Sequence, residues 1–88
     1  MCTNVTRRTP VAGSAKGPQG WFRVDTATVY YDHPFHAPDE HTLNIDLANE
    51  RSGAAGRVAI ELSAASVRDL VRQIEAVLST AEAAALQE

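Results

Sequence analysis

The chain has 88 residues, of which 44% are apolar and 22% are charged, and its formal net charge is −3. We expect a single domain, 1–88, with a modest core of the size that a bound metal or a second subunit often supplements. The acidic balance argues against a nucleic-acid-binding surface, and no apolar run approaches the ~20 residues that cross a bilayer.

Cys2 is the one cysteine, which excludes an internal disulfide and is typical of a reducing compartment. The first residues include Arg7 and Arg8 but no apolar region of the signal-peptide kind. We therefore expect a cytoplasmic protein that has neither a membrane nor a nucleic acid as its partner.

The first third of the chain predicts strands on either side of a loop. Residues 2–12 are rich in β-branched side chains and predict a first strand, at a sheet edge where Pro10 is tolerated. Residues 13–20 contain three glycines and predict a connecting loop, without the spacing of a phosphate-binding loop. Residues 21–32 hold four of the five aromatic residues and predict one long strand or two short ones.

Two later segments alternate between apolar and polar side chains. In residues 41–47 the apolar positions include Leu43 and Ile45, and in residues 57–62 they include Val58 and Ile60. This two-residue period predicts two strands, which we expect to form a hairpin.

The C-terminal part predicts a helix that begins after Ser63, a favourable N-cap residue. Apolar residues recur there at helical spacing and define what we call the helix stripe: Val67, Leu70, Val71, Ile74, Val77 and Leu78. Strands followed by one helix predict an α+β fold, a small antiparallel sheet of about four strands with the helix packed on one face. Because a single helix leaves part of such a sheet uncovered, we expect a homo-oligomer, most simply a dimer.

The segment 32–41 contains all three histidines, His33, His36 and His41, together with two prolines and three carboxylates. Imidazoles this close together on a proline-stiffened loop can converge on one metal ion, with neighbouring carboxylates as hydrogen-bond acceptors. Three imidazole ligands favour zinc or copper, with nickel or iron as further options. The spacing matches neither a zinc finger nor the helical His-Glu-x-x-His motif.

Cys2 is a further candidate ligand for the same ion. If the first strand pairs with the strand that ends at His33, Cys2 lies at the end of the sheet that carries the histidines. A thiolate would then complete a shell of three histidines and one cysteine. The alternative interpretation of Cys2 is a residue near a chain terminus with no ligand role.

Several stretches of this sequence are similar to a known family: Met1-Cys2-Thr3, residues 13–22, and above all residues 27–46 with the run His33-Pro34-Phe35-His36-Ala37-Pro38-Asp39-Glu40-His41. They resemble a family of small actinobacterial proteins of unknown function. The resemblance covers nearly the whole chain and implies a small stand-alone protein. It implies no catalytic residues.

Two classes of function are compatible with these patterns. The first is a metal-binding protein, either a metal carrier or a small enzyme in which Asp39 or Glu40 acts as general base. The second is a metal-free ligand-binding or protein-interaction module whose aromatic residues line a pocket or interface: Trp21, Phe22, Tyr30, Tyr31 and Phe35. Under this second interpretation the histidines are ordinary polar loop residues.

Overall fold

The computed structural model describes residues 5–32, 41–51 and 56–85. Their element order is four strands followed by one helix: β1 (Val5–Gly17), β2 (Gly20–Asp32), β3 (Thr42–Ala48), β4 (Arg57–Leu62) and α1 (Ala64–Ala85). The strands form one antiparallel sheet in the order β1-β2-β3-β4, so each strand pairs with its neighbour in sequence. The predicted α+β fold is confirmed.

β1 is the edge strand that the sequence predicted, but it extends further than expected. The prediction of a connecting loop over residues 13–20 is wrong, because β1 continues to Gly17 and only Pro18 and Gln19 separate it from β2. The long β2 provides backbone partners for the glycine-containing segment. Gly20 has a φ of 112°, a conformation that favours glycine, and it allows the tight reversal.

A β-bulge interrupts the pairing between β1 and β2. Pro10 pairs with Thr26 and Gly13 pairs with Val24, so two residues of β1 lie opposite one residue of β2. Pro10 has no backbone N–H to donate, and an edge strand with a bulge accommodates that loss.

The alternation of β2, β3 and β4 divides the sheet into two faces. The pairing register aligns one set of side chains, which we call the apolar sheet face: Ala27, Val29, Tyr31, Leu43, Ile45, Leu47, Val58, Ile60 and Leu62. The opposite, polar sheet face carries Thr28, Asn44, Asp46 and Arg57. Among the described apolar residues only Val24 and Ala27 are buried, so one copy of the chain has a very small core.

Ser63 caps α1 as predicted. Its hydroxyl accepts a hydrogen bond from the Ser66 backbone N–H at 3.2 Å, and its carbonyl accepts one from Val67 N–H at 3.0 Å. The first turn of the helix borders the sheet near Tyr31 and Leu43. We expected the whole helix stripe to pack on the sheet, but in one copy of the chain only Val67 is half-buried and the rest of the stripe is exposed.

Candidate functional site

Three segments of the chain meet at one end of the sheet. Val5, the first described residue of β1, pairs with Tyr31 near the end of β2. Asp32, the last residue of β2, pairs with Thr42, the first residue of β3. The start of β1, the end of β2 and the start of β3 are therefore neighbours.

His41 lies at this end of the sheet and stacks on Tyr31. The two ring centroids are 5.6 Å apart and the ring planes are inclined by 14°. His41 is half-buried and precedes β3 on the apolar sheet face, as the alternation of residues 41–47 predicted. Stacking uses the face of the imidazole, whereas a metal binds a nitrogen in the ring plane, so this contact is compatible with metal ligation.

The other predicted ligands, His33, His36 and Cys2, lie outside the described residues, as do Asp39 and Glu40. Within residues 5–32, 41–51 and 56–85, no group of three or more His, Cys, Asp or Glu side chains is arranged to hold a metal ion. His41 is thus the one predicted ligand whose surroundings the structure describes.

The start of β3 is held by a buried polar pair. Thr42 is fully buried and Asn44 is 4% exposed, and the Thr42 hydroxyl donates a hydrogen bond to Asn44 Oδ1 at 2.8 Å. Buried polar groups require such partners, because an unpaired one loses its bonds to water without compensation. This pair fixes the backbone immediately after His41.

A polar cleft of about 340 Å³ lies on the opposite face of the sheet. Its lining comprises two arginines, two carboxylates, two threonines and two further residues: Arg8, Thr26, Thr28, Asp46, Ala48, Asn49, Glu50 and Arg57. This cleft was not predicted from the sequence. The polar residues of the alternating strands indicated that one face of the sheet is polar. Which of them are neighbours depends on the strand register, which pairs Thr28 with Asp46 and Ala48 with Arg57.

Two ion pairs cross this cleft. Arg8 of β1 pairs with Glu50, and Arg57 of β4 pairs with Asp46 of β3. The hydrogen bond that Arg57 donates to Asp46 raises the pKa of the guanidinium, which is charged throughout the physiological range in any case. The Asp46 side chain is 14% exposed, and its Oδ1 atom has no hydrogen-bond partner among the described residues. The cleft thus combines opposite charges that largely satisfy each other.

Asp25 organises the turn that follows β3. Its Oδ1 atom accepts hydrogen bonds from the Glu50 backbone N–H at 3.0 Å and from the Thr26 hydroxyl at 2.9 Å. Both bonds favour the charged carboxylate, and the bond from Glu50 contributes most to lowering the pKa of Asp25 below its usual range.

Asp25→Asn is expected to lower the melting temperature at neutral pH, because an amide oxygen is a weaker acceptor for these donors. A pKa lowered by folding stabilises the protein above the unfolded pKa of about 4, and this contribution is lost as the pH falls through the folded pKa. The melting difference between Asp25→Asn and the unmodified chain should therefore shrink below about pH 4. Melting curves across this range test it, with Asp69→Asn on the exposed helix surface as the control. A difference independent of pH would contradict this role of Asp25.

The fold defines the chain as a small α+β protein in which a four-stranded antiparallel meander precedes one helix. It belongs to a family of unknown function, DUF6295, whose model matches residues 1–87. Neither the curated proteins nor the solved structures contain a significant match to it. Among the described residues, α1 is not apolar enough to cross a membrane.

Proposed function

We propose that this is a small cytoplasmic metal-binding protein in which His33, His36 and His41 hold one transition-metal ion. The observation that carries the proposal is the pairing of Asp32 with Thr42, which joins the two ends of the histidine-rich segment. His33 follows Asp32 directly and His41 precedes Thr42 directly.

Covalent geometry limits how far apart these two histidines can be. Consecutive Cα atoms are 3.8 Å apart, and paired Cα atoms of antiparallel strands are about 4.5–5.5 Å apart. The Cα atoms of His33 and His41 are therefore at most about 13 Å apart, which allows two imidazoles to approach one ion. His36 belongs to the nine-residue segment, 33–41, between the strand ends Asp32 and Thr42.

Cys2 is the proposed fourth ligand. The pairing of Val5 with Tyr31 supports this role, because it sets the beginning of β1 beside the end of β2. Three imidazoles and a thiolate suit zinc or copper best, with nickel or iron as alternatives. Four protein ligands are typical of a structural ion, whereas three histidines alone would leave a position for water or substrate in an enzyme.

Elemental analysis of the full chain, purified without a histidine tag, tests the proposal. We expect a stoichiometric transition metal, either as purified or after incubation with zinc or copper followed by desalting. Protein that carries no ion after both incubations would refute the metal site.

The second candidate is a metal-free interaction module, and the exposure of two aromatic residues favours it. Trp21 is 71% exposed and Tyr31 is 39% exposed. The alternation of β2 assigns both to one face and Phe22 and Tyr30 to the other, so a single surface holds only part of the predicted aromatic set. If the chain is an interaction module of this kind, it should bind its partner equally well without metal, and the histidine variants should bind that partner as the unmodified chain does.

A further inference from the structure

After its first turn, the helix stripe is not covered by the sheet of the same chain. The exposed fraction of its residues is 40% at Leu70, 48% at Ile74, 65% at Val77 and 53% at Leu78. No residue of the described helix, 64–85, is buried. A helix with a continuous apolar stripe normally packs that stripe against another surface.

The apolar sheet face is also incompletely covered. Ile60 in β4 is 43% exposed, and Tyr31 in β2 is 39% exposed. One copy of the chain therefore presents two apolar surfaces of different shape, a helical ridge and a sheet. These are the surfaces that pack together in α+β folds.

The exposed area is large for a chain of this size. The surface area is 6985 Å², whereas a compact protein of 9.5 kDa exposes about 5,000 Å². The excess of about 2,000 Å² lies within the roughly 1,000–2,500 Å² that each subunit buries in an obligate dimer. A second copy of the chain, which presents the same two apolar surfaces, can bury an area of this size.

We propose that the chain forms a two-fold symmetric dimer in which each helix stripe packs on the apolar sheet face of the partner. A two-fold axis repeats the same contact twice, so both apolar surfaces of both copies are covered and the assembly is closed. The dimensions agree: the stripe from Val67 to Leu78 is about 17 Å long, and four strands span about 14–19 Å. The dimer proposal does not rest on the proposed metal site, and neither Ile74 nor Ile60 is a proposed metal ligand.

Analytical ultracentrifugation of the full chain at micromolar concentration tests the assembly. We expect twice the 9.5 kDa chain mass and a melting temperature that rises with protein concentration. Ile74→Asp should weaken the dimer by at least about 30-fold, because it buries an unpaired charge in the interface. Ala76→Asp is the matched control, since it introduces the same charge about 200° around the helix and should leave the dimer intact.

Crosslinking distinguishes the exchanged arrangement from other contacts. In a Cys2→Ser background, Ile74→Cys chains mixed with Ile60→Cys chains should be joined by a short thiol-reactive crosslinker, helix to sheet. Each chain then carries one cysteine, so every crosslink joins two chains. A monomer with a concentration-independent melting temperature would overturn the dimer. Crosslinking of Ile74→Cys chains only with one another would overturn the exchange by showing that the two helices pair.

Discussion

Replacing His33, His36 and His41 together with alanine is expected to abolish stoichiometric metal binding, the largest functional effect that we predict for this chain. The triple variant removes every imidazole in the protein. Each single variant should retain a weaker site, because two imidazoles remain. Metal affinity of the unmodified chain should also fall as the pH is lowered, because protons compete with the metal for the ring nitrogens. Elemental analysis and competition with a chelator measure both effects.

The Cys2→Ser variant tests whether the thiolate binds the metal in addition to the imidazoles. Cobalt-loaded protein should lose its sulfur-to-metal charge-transfer absorption in Cys2→Ser and retain it in Ser14→Ala, a control variant at an exposed position of β1 towards the opposite end of the sheet. Identical spectra would remove Cys2 from the site and leave a carboxylate or water as the fourth ligand. A triple histidine variant with unchanged metal content would remove the histidines as well.

The elements best predicted from the sequence are those in which local signals agree. β4 has the predicted bounds, 57–62, and β3 begins one residue later than expected, because strict alternation both favours strands and fixes which face is apolar. Ser63 combines N-cap chemistry with a following apolar period, and the capping hydrogen bond is present. At these positions the residues that are close in sequence are sufficient to determine the secondary structure.

Long-range pairing decided the elements that were predicted poorly. Residues 13–17 contain glycine, serine, alanine and lysine, a composition typical of a loop, yet they pair with residues 20–24 of β2. These residues form a strand because the tight turn at Gly20 places the backbone of β2 next to them. The polar cleft has the same origin, since Arg8 and Glu50 are 42 residues apart in sequence. No local pattern relates two such residues.

The candidate metal site was predicted from composition, and the structure adds the arrangement of the strands around it. The sequence suggested that His33 and His41 end and begin neighbouring strands, and the pairing of Asp32 with Thr42 supports this arrangement. The stacking of His41 on Tyr31 was not predicted, because it depends on the relative position of two strands. The helix stripe was recognised correctly, but a pattern of apolar residues does not specify which surface covers it.

The small core makes the stability of the chain unusually dependent on Val24, so Val24→Asp is expected to destabilise it by at least about 3 kcal/mol. Val24 is 5% exposed, and an aspartate there would lose its hydration without gaining a partner. A folded chain of this length has a total unfolding free energy of about 4–13 kcal/mol. The substitution therefore removes a large part of the stability and is expected to unfold much of the protein at 37 °C.

Val5→Asp is the matched control for this effect. Val5 is also a strand valine that pairs with β2, but it is 54% exposed, so its replacement by aspartate should cost no more than about 1 kcal/mol. Val24→Ala should fall between the two at about 2 kcal/mol, because it removes two buried methyl groups without introducing a charge. Urea denaturation monitored by circular dichroism measures all three. Equal losses of unfolding free energy in Val24→Asp and Val5→Asp would mean that the burial of Val24 does not stabilise the chain.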